Sequence, residues 1–248
     1  MKKYINHLIT PQQITIIFNQ GNPISVAMED NRYDELLTLI RREEFDKIAY
    51  LVDKPTKINE YSKGKFLVKD GVVHIDSEAL PNELSDKLLE LVDAEEETRP
   101  LELFWHNLKR NPSKDSKKDL FSFLRVNKIP ITPNGCFIAY KKIKEDWKDC
   151  HTGTINNKPG TIVKMERDQV DPNRNNTCST GLHVAAYDYA ANKFSGNILV
   201  EVEVNPRDVV AVPPDYDQQK MRVCKYRVIR RASEEIKDLI YREDCKVY

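Results

Sequence analysis

The sequence predicts an α+β protein in two parts, hairpins with helices in front and a mixed β-sheet domain behind. Three observations carry that expectation. Apolar residues recur at helical spacing in several stretches between Leu36 and Leu124, they recur at strand spacing from Gly135 onward, and Pro112, Pro130 and Pro133 punctuate the change. The division is placed at 112/113, giving a hairpin and helical N-terminal domain over 1–112 and an α+β domain of ligand-binding type over 113–248.

The chain opens with two apolar stretches, Ile14–Phe18 and Ile24–Met28, flanking Asn19-Gln20-Gly21-Asn22-Pro23, which is turn chemistry between two strands. Leu36, Leu37 and Ile40 then share one helical face, and Phe45, Ile48, Ala49 and Val52 another, until Pro55 stops the pattern. Asp70-Gly71 between Lys65–Lys69 and Val72–Asp76 signals a second hairpin, because its left-handed turn positions favour Asp and Gly. Leu84, Leu88, Leu91 and Val92 form the next helical stripe. Leu101, Phe104, Trp105 and Leu108 form another, a pattern more often core than interface. Asn111-Pro112-Ser113 ends that helix, and a third passes through Leu120, Phe123 and Leu124.

In the second part Cys136–Lys142 reads as a strand and Ser179–Phe194 as a loop feeding a helix. Ile198–Val204, Val209–Val212 and Met221–Ile229 read as three further strands. Ile198, Val200, Val202 and Val204 alternate with Glu201 and Glu203, so the valines are expected inward and the glutamates on the other face.

Composition limits the function. With 248 residues, 40% hydrophobic and 31% charged, the chain can bury a core and keep a solvated surface, which excludes a disordered protein. Lys plus Arg equals Asp plus Glu at 39 each, so no global field draws it to nucleic acid or to an anionic membrane, and any anion site is local. The apolar runs are far shorter than the roughly 20 residues of a membrane span, and Met1-Lys2-Lys3-Tyr4 is not followed by a signal-type stretch. Five cysteines without a C-x-x-C pair suit free thiols in a reducing cytoplasm.

Phosphate loops, dinucleotide fingerprints, zinc-protease and nucleophile-elbow motifs are missing from the sequence, and eight glycines leave little for a phosphate cradle. Cys178, His183 and Cys150-His151 match no common structural zinc spacing, so neither metal nor cofactor is expected. The informative cluster is basic: Tyr140, Lys141 and Lys142 on one strand, and Lys220, Arg222, Lys225 and Arg227 on another. Neighbouring strands would turn these into an anion pocket; alternatively they are the solvated face of a half-exposed sheet, paired with Asp168, Asp171, Asp208 or Asp215.

Cys178-Ser179-Thr180-Gly181-Leu182-His183-Val184-Ala185, a helix ending in Phe194 and the strand Ile198–Val204 together resemble the core of the ADP-ribosyltransferase superfamily. That resemblance implies a nucleotide cleft lined by Tyr140, Lys142, His183, Arg222 and Lys225. Lys225 stands where the family has its transferring glutamate, and a lysine there would repel the developing positive charge. It therefore implies binding of a nucleotide or other phosphate-bearing ligand without catalysis. The runner-up is an ADP-ribosyl or nucleotide-processing enzyme using His183 with Glu201 or Glu203.

A second resemblance spans most of the chain. It rests on Asn111-Pro112-Ser113, Asp119-Leu120, Pro130 to Lys142, Asp149-Cys150-His151-Thr152-Gly153 and Asn157-Lys158-Pro159-Gly160. It continues through Cys178 to Val184, Asn205-Pro206-Arg207-Asp208-Val209-Val210, Val212-Pro213 and Lys220 to Tyr226. In that order these pieces resemble the rIIB-type proteins of tailed bacteriophages. The resemblance implies an accessory protein of the infected cell, concerned with lysis timing and escape from host exclusion. It implies a host-cytoplasmic location, with a peripheral link to the inner membrane through a phage or host protein partner. It carries no catalytic residues and leaves the oligomeric state open.

Overall fold

Period-two alternation puts Ile14, Ile16 and Phe18 of one strand on a single face, and all three are buried. In the computed structural model, which describes residues 3–30, 32–53, 58–59, 61–69, 72–127, 129–214 and 218–241, this is β2 (Gln13–Phe18). It pairs antiparallel with β1 (Tyr4–Ile9) and β3 (Ile24–Ala27). The β2–β3 hairpin is the one expected at Asn19–Pro23, whereas β1 has no apolar alternation to announce it. Helices α1 (Tyr33–Arg41) and α2 (Phe45–Val52) bring Leu36, Ile40, Ile48 and Val52 onto the inner face.

Next come β4 (Phe66–Lys69), β5 (Val72–Ile75) and β6 (Glu78–Ala79), a second antiparallel meander. The predicted Asp70-Gly71 turn lies outside the described residues. Sequence reading missed β6, which is joined to β5 through Asp76 and Ser77, both with positive φ (50° and 66°). Two positive-φ residues make a tight hairpin turn, and Asp tolerates that region better than most residues. Helix α3 (Asn82–Asp93) buries its whole expected stripe, Leu84, Leu88, Leu91 and Val92.

The chain divides into two compact units at Glu95/Glu96. That division falls ahead of the boundary expected at 112/113, so α4 (Arg99–Lys109) and α5 (Lys114–Asn127) both go with the second unit. In α4 Leu101, Phe104 and Leu108 are buried, and Trp105 is half-buried.

The second unit holds β7 (Phe137–Ile143), β8 (Ile162–Lys164), β9 (Leu182–Ala185), α6 (Tyr187–Lys193) and β10 (Ile198–Val204), then β11 (Val209–Ala211), β12 (Lys220–Val223) and β13 (Lys225–Arg231). Its seven-stranded sheet runs β11-β12-β9-β7-β10-β13-β8. Each neighbouring pair is antiparallel, which corrects the expected mixed sheet. The strand expected over Met221–Ile229 is also corrected, because Cys224 divides it into β12 and β13, four places apart in the sheet. At about 4.8 Å per place a flat sheet would separate them by about 19 Å, yet one linking residue lets Val223 and Lys225 lie no more than about 7 Å apart. The sheet must curl, with the Cys224 corner carrying the chain from one half to the other.

Candidate functional site

Register defines the face on which the predicted residues stand. Tyr140 pairs with Ala185 across β7 and β9, and Arg222 pairs with His183 across β9 and β12. Directly opposed antiparallel residues share a face, and so do residues two apart on one strand. Tyr140, Lys142, His183 and Arg222 therefore share one face, and Glu201, opposite Tyr140, joins them. Glu203, two residues on, shares the face and pairs with Arg227, so Lys225, two before Arg227, also stands on it, but at the start of β13, beyond the Cys224 corner from Arg222.

Three of these, Arg222, Tyr140 and Lys142, are hydrogen-bonded through their side chains to their own backbone. The fully buried Arg222 donates from Nε to the Asp171 carbonyl (3.0 Å), from Nη1 to Asn176 (2.6 Å) and from Nη2 to Asn173 (2.7 Å). Its planar fork thus fills a ring of carbonyls as a cation would. The same loop is held from outside by Arg174, whose Nη1 donates to Asp119 of α5 at 2.6 Å. Asp171 turns its carboxylate into the loop, where donors from Ser179, Asn176 and the Asn173 amide hold it down to about 2.

Tyr140 is buried against Tyr187, edge to face, and its Oη accepts the Ile236 amide at 2.9 Å. Burial raises its pKa. Lys142 donates to the Ala191 carbonyl (2.5 Å), capping the C-terminal turn of α6 where a cation is favoured. Glu201, on the other face from the valines as expected, is buried as well; it accepts from Arg230 Nε (2.9 Å) and Tyr241 Oη (3.2 Å). The strand β7 stands between it and His183.

His183 is half-buried, and its Nε2 has no hydrogen-bond partner among the described residues. Burial, then Lys141, Arg222 and Lys220, pull its pKa down to about 4, so the ring is neutral at pH 7. From the opposite face Lys141 Nζ donates to the His183 carbonyl (2.9 Å) and lies 6.0 Å over the Tyr226 ring. Burial lowers Lys141 to about 8, opposed by Asp149.

Lys225 lines a surface pocket of about 190 Å³ with Glu203, Arg207, Asp208 and Arg227. Arg227 pairs with Glu203 (3.1 Å) and Arg207 with Asp208 (3.4 Å), while among the described residues no ion pair occupies Lys225. Cys136 also lines this pocket, its thiol pushed up to about 12 by burial, Glu203 and Asp208. The five predicted residues thus share one sheet face, Lys225 in this pocket and the other four in the packed part of the face. Asp215, a predicted partner for the basic cluster, lies outside the described residues.

Several quoted motifs are joints of the fold. The buried Asn111 donates to the carbonyls of Pro206 (2.9 Å) and Val209 (2.8 Å), while its Oδ1 accepts from the Ser113 amide and Arg167 Nη2. Ser116 Oγ donates to the Val210 carbonyl (2.6 Å), so Asn111-Pro112-Ser113 and Asn205 to Val210 are two sides of one contact. Burial works to raise Asp149, but the amides of Thr152, Thr154 and Ile155 and the Thr152 hydroxyl overcome it and hold the carboxylate well below its usual range. Asn157, fully buried, accepts the Tyr226 hydroxyl at 2.5 Å. Sequence reading assigned none of these roles: Asn111, Ser116 and Asn157 join residues far apart in the chain, and the local Asp149 loop carries no periodic pattern.

Among the described residues no group of three or more His, Cys, Asp or Glu is placed to hold a metal ion, and no helix is long and apolar enough to cross a membrane. A family model described as Bacteriophage T4 protein rIIB matches residues 2–237. Protein rIIB of Enterobacteria phage T4 is 34% identical over 208 residues, spanning 84% of this chain and 67% of that protein. No solved structure matches the chain. The structural joints at Asn111, Asp149, Asn157 and Arg222 lie within the matched span, and the chain belongs to the family of the bacteriophage T4 protein rIIB.

Proposed function

We propose that this rIIB-family protein is an accessory effector of the infected cell, active in lysis timing or escape from host exclusion, and that it works by holding a protein partner rather than by catalysis. In this reading it acts in the host cytoplasm and meets the inner membrane only through that partner. One observation supports it above the others: Tyr140, Lys142 and Arg222, on which a nucleotide cleft would depend, are hydrogen-bonded to their own chain. A guanidinium already donating to three carbonyls has little left for a phosphate. An anionic ligand, if the protein takes one, belongs instead at Lys225, with Arg207 and Arg227 beside it.

The second reading, a nucleotide- or ADP-ribosyl-processing enzyme, draws on the buried, unpartnered Nε2 of His183. The full chain incubated with NAD and adenine nucleotides separates the two. Thermal shift reads binding and mass spectrometry of the recovered nucleotide reads chemistry. Intact nucleotide with no dependence on His183 supports the partner-holding reading; conversion of NAD that is lost in His183→Asn overturns it.

A further inference from the structure

The stretch Ala232–Tyr241 conflicts with its own local sequence. Ser233 followed by Glu234 and Glu235, with Ile236, Leu239 and Ile240 at i, i+3 and i+4 and no Gly or Pro, is the pattern of an amphipathic helix with an N-cap. The structure has no helix there. The segment leaves β13 and crosses the sheet face that carries Tyr140 and Glu201, held much as a bound peptide is held. Ile131 exchanges two backbone hydrogen bonds with it, donating to the Leu239 carbonyl (3.0 Å) and accepting from the Tyr241 amide (2.9 Å), in a parallel bridge centred on Ile240. Tyr140 Oη takes the Ile236 amide, and Glu201 takes the Tyr241 hydroxyl. Arg230 lies 5.6 Å over the Tyr241 ring. Ile236, Ile240 and Tyr241 are each 4% exposed, and Ile236 and Tyr241 pack into the cluster of Ile138, Tyr140 and Ala190, while the charged side chains between them point to solvent.

One backbone bridge and spaced side-chain sockets are what hold an extended peptide in a groove. Where local sequence preference and tertiary placement disagree, a segment is held from outside itself and is a candidate for exchange. We infer that the face formed by Ile131, Tyr140, Glu201 and Arg230 is a peptide-binding groove, occupied in cis by Ala232–Tyr241 and open in trans to a partner's extended segment. That segment carries an aliphatic residue and, four residues on, an aliphatic residue followed by tyrosine. This deepens the partner-holding reading and rests on it, naming the surface and the chemistry that fits it.

The test uses the full chain and a fluorescent synthetic peptide of sequence Ala232–Tyr241. Tethering sets the cis segment at an effective concentration in the mM range, so the unchanged protein should bind added peptide weakly. Loosening the tethered copy by Ile236→Ser with Tyr241→Ser should tighten peptide binding at least tenfold, and a scrambled peptide should not bind. Failure of the loosened protein to bind, or equal binding of the scrambled peptide, overturns the groove. Should that variant not fold, hydrogen exchange on the unchanged chain decides. The Ile236 and Tyr241 amides must exchange through a local opening that leaves the Val202 and Val228 amides protected, and exchange of all four together shows an integral part of the core. Either failure removes the groove alone, since conversion of NAD is what removes the partner-holding reading.

Discussion

Gly135 lies against the backbone of Phe104 so closely that a Cβ on it would stand 2.4 Å from the Phe104 amide nitrogen and 2.4 Å from the Leu103 carbonyl carbon. Its φ of +68° is also one that side chains disfavour. Asn107 on the same helix donates to the carbonyls of Asn134 and Gly135, fixing the helix on the loop that starts β7. Gly135→Ala should therefore cost more than about 2 kcal/mol in a denaturant melt, through strain and a backbone clash together. Gly160→Ala is the comparison: φ is +85° but nothing lies within 4 Å of the added Cβ, so only the backbone term of about 1 kcal/mol applies. Equal losses at the two sites would mean that α4 does not pack on this loop.

The same contact decides where the chain can be cut. A fragment starting at Glu96 keeps α4 and should give a soluble protein with one cooperative melt. A fragment starting at Ser113 lacks Leu101, Phe104 and Leu108, all fully buried, and loses Asn111 from between Pro206 and Val209. It should aggregate or melt without cooperativity. The reverse result would put the boundary back at the end of α4.

Local pattern made much of the fold legible. Helical stripes such as Leu84, Leu88, Leu91 and Val92, and the alternation of Val200, Val202 and Val204, are written within a dozen residues and survive in any tertiary setting that buries one face. The short β6 and β8 were not legible, because two or three residues cannot display a period and neither lies in an unbroken apolar run as the equally short β11 does. The break at Cys224 was not legible either, since it comes from the curl of the whole sheet rather than from any turn residue. At the site, register placed the five expected residues on one face, but the partners of Arg222, Lys142 and Tyr140 are backbone groups of Asp171, Asn173, Asn176, Ala191 and Ile236, which sequence pattern does not reveal.

His183 sets a pH dependence whose sign follows from its depressed pKa. Above the ordinary histidine value of about 6.5 the ring is neutral in both folded and unfolded chains and makes no difference. Below it the unfolded chain takes up a proton that the folded site refuses until about 4. Stability from this group is therefore complete above about pH 6.5 and falls as pH drops toward 4, by on the order of 3 kcal/mol. Urea melts at intervals from pH 7 to pH 4 should show the loss in the unchanged protein and a flatter slope in His183→Asn. Asp171, whose folded value is about 2, titrates mostly below this window and does not mask it. An identical slope in both proteins would mean that His183 is solvated.

Arg222 and Lys225 were expected to grip one anion together, and their surroundings now predict opposite behaviour. Arg222 is fully buried and joins β12 to three carbonyls of the 171–176 loop, so Arg222→Ala leaves those carbonyls without their donors. Losing the donor of three charge-assisted hydrogen bonds costs on the order of 3 kcal/mol. Arg222→Lys should recover little of it, because an ammonium on a flexible stem cannot reach three acceptors set for a planar fork. Lys225 lines an open pocket, and Lys225→Ala should change stability by less than about 0.5 kcal/mol. Binding should divide the other way: with inorganic phosphate or pyrophosphate as probe, Lys225→Ala should weaken any measurable affinity about tenfold, one charge-assisted contact being worth roughly 1.5 kcal/mol or more. Calorimetric titration and denaturant melts on the two single variants check both halves. An Arg222→Ala protein that melts like the unchanged chain and has lost its phosphate affinity would restore the guanidinium as a ligand-binding group and undo its assignment as the cation of the loop.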